Sequence, residues 1–210
     1  MLKHAKCKIC RRLGDKLFLK GDKCSSAKCA MVKRPFAPGQ KAKKRKSALT
    51  EYGKEVREKQ RMKKLYGVTE AQFKKYVKKV SENRGKAENV ADDLIQRIET
   101  RLDNVIFRLG WARSRSHAGQ LVSHGHFEVN GKNVDIPSYV VSVNDVISIK
   151  PGSKSKDTLK DINEKMKKYA LPSWLAYDSA KVEGKMVKKP LFADIQLPAE
   201  IASVFEHYSR

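Results

Sequence analysis

With 46 Lys and Arg against 23 Asp and Glu in 210 residues, the chain carries a formal charge of +23, a field that draws polyphosphate and repels basic partners. A membrane surface also attracts basic chains, but there is no apolar run long enough to span a bilayer and no signal-peptide core, so the cytosol is the expected compartment. The length permits one or two modest domains, and 40% apolar residues can bury real cores while the excess charge stays on arms and faces.

The charge is concentrated at the start, where residues 1–50 hold 16 basic and 2 acidic residues. This stretch also holds Cys7, Cys10, Cys24 and Cys29, all the cysteines of the chain, in the pattern C-x2-C-x13-C-x4-C. Four thiolates at such spacing can close a tetrahedral Zn²⁺ site, because the short first spacing turns two sulfurs toward one ion and the longer loop returns the second pair. Lys6, Lys8, Arg11 and Lys28 favour the thiolate forms. Two disulfides are the plain alternative, which a cytosolic setting disfavours, and an iron–sulfur cluster would accept the same four thiolates. Arg34-Pro-Phe-Ala-Pro-Gly-Gln-Lys then breaks regular structure, so Lys43, Lys44, Arg45 and Lys46 are expected on an extended arm that orders against RNA.

Leu49, Tyr52, Val56, Met62 and Tyr66 give a buried stripe for a helix ending near Gly67, with Lys54, Arg57, Lys59, Arg61, Lys63 and Lys64 on its outward face. Thr69 with Gln72 forms a capping box, Val68 and Phe73 a hydrophobic staple, and Phe73, Tyr76, Val77 and Val80 the inner face of a second helix, making an αα-hairpin. After a loop at 81–86, Val90, Leu94, Ile95 and Ile98 continue a helical period up to Thr100.

Between 101 and 150 the hydrophobic period changes twice. Leu102, Val105, Ile106 and Leu109 gather on one helical stripe, with Thr100 as N-cap and Gly110 as the stop. Ser114 caps a second helix in which Ala118, Leu121 and Val122 face inward and Gly125 ends the run. Arg113, His117, Gln120 and His124 stand at i, i+4, i+7 and i+11, one row of donors and cations. The period then drops to two: Phe127 and Val129 alternate with His126 and Glu128, and Asn130-Gly131 signals a hairpin. Apolar runs at 139–143 and 146–149 follow, turning at Asn144-Asp145. Two helices leaning on a small antiparallel sheet are expected, with Arg101, Arg108, Arg113, Arg115, His117, Gln120, His124, His126, Asn130 and Lys132 facing solvent or a partner. Beyond Pro151-Gly152, Leu159, Ile162, Met166 and Tyr169 suggest one helix, 174–177 and 181–189 short strands turning at Glu183-Gly184, and Ile201, Val204, Phe205 and Tyr208 a closing helix that can return onto the αα-hairpin.

Arg101-Leu-Asp-Asn-Val, Arg108-Leu-Gly, Gln120-Leu-Val-Ser-His-Gly-His126, Val129-Asn-Gly-Lys132 and Ile136-Pro-Ser-Tyr139 resemble the αL RNA-binding domain of bacterial small-subunit ribosomal protein S-four. Tyr52-Gly, Arg57-Glu-Lys-Gln, Tyr66-Gly-Val and Tyr208-Ser-Arg210 extend the likeness over nearly the whole chain. One departure is Gly119, where the family usually carries Arg. The resemblance implies an α+β chain: zinc knuckle and basic arm at 1–46, a helical domain at 47–98 completed by 198–210, and the αL RNA-binding domain with its extension at 99–197. It implies a structural constituent of the small ribosomal subunit that binds small-subunit rRNA, nucleates assembly and influences translational accuracy. Zn²⁺ is the implied cofactor of Cys7, Cys10, Cys24 and Cys29. Implied RNA contacts are Lys43, Lys44, Arg45, Lys46, Arg57, Arg61 and the polar set between Arg101 and Lys132 named above. Neighbouring small-subunit ribosomal proteins are implied partners, with Tyr208 as a contact, and mRNA near its entrance is a further one. No homo-oligomer is expected.

No catalytic constellation accompanies the five histidines. Domains of the αL type also occur on RNA-modifying enzymes, but these carry a separate catalytic domain, and the residues before Thr100 read as knuckle, arm and helices. Basic surfaces on separate blocks, with no aromatic platform for splayed bases, further suggest a two-sided clamp on folded RNA.

Overall fold

The computed structural model describes residues 5–39, 48–83, 89–153, 159, 162–166, 169–195, 197 and 200–209. The basic cluster Lys43, Lys44, Arg45 and Lys46 lies outside the described residues. The chain divides into two compact units, one of Met1–Ala91 with Leu197–Arg210 and one of Asp92–Gln196. No helix among the described residues is long and apolar enough to cross a membrane.

The first unit starts with three short helices, α1 (Lys6–Leu13), α2 (Asp22–Ser25) and α3 (Ala30–Lys33), around the fully buried Leu17. Helix α4 (Glu51–Tyr66) begins where the Thr50 hydroxyl accepts from Gly53 N–H, and stops at Gly67. Gly67 takes φ +70, a left-handed conformation that costs a residue without Cβ nothing and lets Val68 N–H reach back to the Lys63 carbonyl. Helix α5 (Glu70–Glu82) carries the expected Thr69–Gln72 capping box and buries Phe73, Val77 and Val80. Helix α6 (Val90–Glu99) leads into the second unit and buries Leu94, Ile95 and Ile98.

The expected stripe on α4 holds only at its C-terminal end. Met62 and Tyr66 are buried, but Leu49 is 47% and Tyr52 56% exposed; the buried stripe is completed by Leu65 and by the closing helix α10 (Ile201–Ser209). That helix lies along α4 and touches α5, burying Ile201, Val204 and Phe205. Its Tyr208 ring meets Phe73 at 6.1 Å, and His207 meets Tyr52 at 5.6 Å.

In the second unit, helices α7 (Leu102–Arg108) and α8 (Arg115–Ser123) pack on each other above a five-stranded antiparallel sheet. Its strands are β1 (Phe127–Val129), β2 (Lys132–Asn133), β3 (Val146–Ile149), β4 (Leu175–Asp178) and β5 (Glu183–Met186), in the order β2-β1-β3-β5-β4. A short helix α9 (Ile162–Met166) precedes β4. Asn130 and Gly131 both have positive φ, +50 and +75, the backbone of a two-residue hairpin loop. Leu102, Ile106, Leu109, Phe127, Ile147 and Trp174 form the centre of the core, none more than 2% exposed.

Three expectations for this unit are corrected. Thr100 does not cap α7: its hydroxyl donates to the Gln96 carbonyl, closing α6, while the first α7 amides, Leu102 and Asp103, donate to the carbonyls of Tyr139 and Pro137. A helix start needs acceptors, and here a distant segment supplies them in place of a side chain. That same segment, 139–143, is therefore no strand; only Val140 bridges, to Arg101. The last hairpin turns before Glu183, with Val182 at φ +60, because Gly184 sits inside β5, paired with both Ile147 and Tyr177.

Candidate nucleic-acid interface

The cysteine cluster is built by α1, which turns Cys7 and Cys10 to one side, by α2, which carries Cys24, and by Cys29 immediately before α3. All four thiols are free, and three are buried. They line one small, partly open cavity of about 10 Å³ together with Lys6, Lys16 and Lys20, room for a single water-sized sphere. The Lys20 amide donates to Cys24 Sγ at 3.4 Å. Burial pushes the Cys10 thiol up; a backbone hydrogen bond at Leu17 pulls it down, and the nearby Cys24, Cys7 and Cys29 push it up again. Among the described residues, no three His, Cys, Asp or Glu are gathered tightly enough to hold a metal ion. The donors are thus soft, free and face one cavity, without being drawn to coordinating distance. Their chemistry fits Zn²⁺.

Several cations expected on an outward face of α4 are internal. Arg61, with a side chain only 15% exposed, reaches Asp15 Oδ2 through Nε at 3.0 Å and Nη2 at 2.5 Å, and Glu58 through Nη1 at 2.6 Å. Arg57 Nη2 donates to the Leu13 carbonyl at 2.5 Å. Lys59 and Lys63 both bond Glu70, at 3.0 and 2.5 Å, and the Tyr208 hydroxyl donates to the same carboxylate at 2.8 Å. Burial alone would raise the Glu70 carboxyl, but the hydrogen bonds from Lys63, Lys59 and Tyr208 overcome it and bring the carboxyl down to about 2. Arg57 and Arg61 accordingly fasten the cysteine-bearing segment to α4.

The second unit repeats this pattern. Glu99, fully buried, accepts from Arg108 at 2.5 and 3.0 Å and from Asn104 Nδ2. Asn104 Oδ1 in turn accepts from Arg115 Nε at 2.7 Å, and the Arg115 guanidinium lies over the Phe107 ring at 4.5 Å. Arg101, 6% exposed, grips Asp103 through two hydrogen bonds of 3.0 and 2.6 Å. Burial raises the Asp103 carboxyl against the opposing pull of Arg101. His126 is also buried, with Nδ1 3.0 Å from Ser153 Oγ. Asn130 spends its side chain on Asp145 and on the Val146 amide, fixing the turn. Arg101, Arg108, Arg115 and His126 are therefore engaged within the framework, whereas Asn130 is exposed with its side chain committed to the turn.

Arg113, Gln120, His124 and Lys132 do lie exposed, with His117 half-buried. They are not one helical row: α8 starts at Arg115, so Arg113 precedes the Ser114 cap, and His124 follows the last turn. His117 and Gln120 have positions set by the helical period, and His124 caps it, its amide donating to the Gln120 carbonyl at 3.1 Å. Sequence reasoning missed the acids that engage the internal cations, Asp15, Glu58, Glu70 and Glu99. Glu58 stands three residues before Arg61 on the same helix, but the other pairs cross between elements, with Asp15 and Arg61 separated by 46 positions in the chain, so no helical spacing announces those.

Residues 1–98 match the family description "Ribosomal protein S4/S9 N-terminal domain", and residues 100–147 match "S4 domain". The chain is 48% identical over 204 residues to the "Small ribosomal subunit protein uS4" of Caldicellulosiruptor saccharolyticus, covering 97% of this chain and 96% of that one. It is 45% identical over 206 residues to the protein of the same name from Ruminiclostridium cellulolyticum, and 46% identical over 206 residues to "Small ribosomal subunit protein uS4A" of Alkaliphilus metalliredigens, each covering 98% of this chain and 97% of the relative.

Proposed function

The chain belongs to the ribosomal protein S4 family, and on that premise we propose that it is a structural, non-catalytic constituent of the small ribosomal subunit in the cytoplasm that binds small-subunit rRNA. What carries this reading is that the likeness runs through both units of the chain and is not confined to one RNA-binding module. Cosedimentation with small ribosomal subunits through high salt tests it; a protein that stays in the supernatant refutes it.

Within that reading, the chain works as basic arm and knuckle at 1–46, helical domain at 47–98 with 198–210, and αL RNA-binding domain at 99–197. Arg113, His117, Gln120, His124 and Lys132 form the RNA-facing set of the last of these, and Lys43, Lys44, Arg45 and Lys46 add phosphate contacts. Arg57, Arg61, Arg101, Arg108, Arg115, His126 and Asn130 act by holding the surfaces that carry them. Losing one phosphate contact at Arg113 should make the salt slope of rRNA binding shallower by about one, with folding intact.

Zn²⁺ held by Cys7, Cys10, Cys24 and Cys29 is the finer part of the reading, supported by the shared cavity and by the sulfur-only donor set. When bound, the ion supplies a structural cross-link between α1, α2 and the segment before α3 that bears Cys29. Elemental analysis of chelator-free protein should give about one zinc per chain. Assembly nucleation, an effect on accuracy, and contacts with a neighbouring ribosomal protein and with mRNA come from the family resemblance. Because Tyr208 engages Glu70, a protein contact there would fall to the exposed side of α10.

A further inference from the structure

Helix α1 has two working faces. Cys7 and Cys10 point to the thiol cavity, while Ala5, Lys8, Ile9, Arg12 and Leu13, spaced at one and at three to four residues, share the other side. That side and Gln60 with Lys64 of α4 enclose a groove of about 510 Å³. Its walls are held by Arg57, which bonds the Leu13 carbonyl, and by Arg61 on Asp15. Ile9 and Leu13 give an aliphatic surface, Gln60 offers a carboxamide with both donor and acceptor, and Lys8, Arg12 and Lys64 bring three cations.

Among the described residues, no acid lines the groove. Lys59, Lys63, Arg57 and Arg61 on the same helix all have a carboxylate within 4 Å. Lys8, Arg12 and Lys64 have no ion pair among the described residues. Burial lowers the Lys64 ammonium, the adjacent Lys63 charge lowers it further, and Glu70 only partly offsets this. A half-buried lysine beside other cations, with no counter-ion of its own, is stabilised by an incoming anion. The charge excess calls for phosphate, and the aliphatic wall with an amide calls for a flat, hydrogen-bonding apolar body.

We propose that the groove between α1 and α4 receives one unstacked RNA nucleotide, with its base against Ile9 and Leu13 at the Gln60 amide and its phosphates at Lys8, Arg12 and Lys64. The assignment rests on the rRNA-binding reading and adds base insertion to it, a mode suited to single-stranded loops and bulges whose bases can be splayed out.

The full chain and a small-subunit rRNA transcript test the assignment. Ala5→Trp fills the groove mouth without changing charge, Gln60→Ala removes only the amide, and Arg12→Gln with Lys64→Gln removes two cations. Dimethyl sulfate and carbodiimide probing read the Watson–Crick edges of all four bases. The wild type should protect a single-stranded base that both Ala5→Trp and Gln60→Ala restore to reactivity. Ala5→Trp should weaken binding about tenfold at unchanged salt slope, and the double variant should make that slope shallower by about two. Circular dichroism confirms folding, and Gln60→Ala carries the test alone if Ala5→Trp does not fold. Normal rRNA binding with no groove-dependent base protection overturns the inserted nucleotide and leaves the rRNA reading intact, even if the cation variants change the slope. A wild type that does not bind the transcript overturns the underlying reading and the groove with it.

Discussion

Replacing Glu70 by Gln removes one charge from a carboxylate that three donors share. Lys63, whose side chain is only 10% exposed, then loses its partner at 2.5 Å, Lys59 loses its own at 3.0 Å, and Tyr208 keeps only a neutral acceptor. A carboxyl titrating at about 2 in place of its ordinary 4.5 corresponds to about 3 kcal/mol before screening. The Glu70 side chain is 46% exposed, so water and salt reduce this to about 1 kcal/mol. Glu70 also opens α5, where a carboxylate opposite the helix dipole adds about 0.5 kcal/mol. The expected loss of about 1.5 kcal/mol lowers the urea midpoint of the first unit by about 0.5–1 M. Because the folded carboxyl is depressed, its contribution is fully present above pH 4.5 and is lost as pH falls toward 2. The gap between wild type and variant should therefore close over that window. Both tryptophans, Trp111 and Trp174, lie in the second unit, so far-UV circular dichroism should show the shift while tryptophan fluorescence does not move. Equal midpoints at pH 7, or a gap of constant size down to pH 2, would refute the shared-carboxylate argument.

Two glycines should respond in opposite directions. A Cβ on Gly184 would stand 2.5 Å from Leu109 Cδ1 and 2.9 Å from Cδ2, and Leu109 is fully buried, so Gly184→Ala should cost about 1–3 kcal/mol by tryptophan-detected urea unfolding. At Gly119 the added carbon meets only Asp103, at 3.8 Å or more, so Gly119→Ala should stabilise the same transition by about 0.5–1 kcal/mol. Glu99→Gln leaves the Arg108 guanidinium without its buried counter-charge and should destabilise the second unit by about 3 kcal/mol, read as a lowered thermal midpoint.

Much of the fold is legible because local chemistry and tertiary structure agree. Thr69 and Gln72 cap α5 as their spacing implies, Asn130-Gly131 turns β1 into β2, and the 3.6-residue periods of α6 to α8 all face the core. The misreadings share a cause. Thr100 carries a capping side chain, yet the acceptors for α7 arrive from Pro137 and Tyr139, a contact that no window of ten residues contains. Leu49 and Tyr52 fit an apolar stripe, but α10 covers only part of α4. Charge was the least legible feature at the candidate site. Composition reports how many cations there are, while Asp15, Glu70 and Glu99 decide which are engaged in the frame, and those acids lie far from their partners in the chain or on a different helix. The groove of Lys8, Arg12, Gln60 and Lys64 went unseen for the same reason, although each pair has a plain i, i+4 spacing.

The α10 seat on α4 has a further consequence for synthesis. The second unit is one continuous stretch, Asp92–Gln196, but the first is assembled from two segments that the whole of that stretch separates. A ribosome moving from the N-terminus at roughly 5–20 residues per second therefore completes the later unit first. For roughly 5–20 s, α4 and α5 wait with the apolar surface that Ile201, Val204 and Phe205 will cover still open to solvent. A polypeptide of this design emerges with its middle ready and its beginning unfinished, so a nascent-chain binder, or rRNA captured early by the basic segment, has a defined interval in which to act before the closing helix arrives.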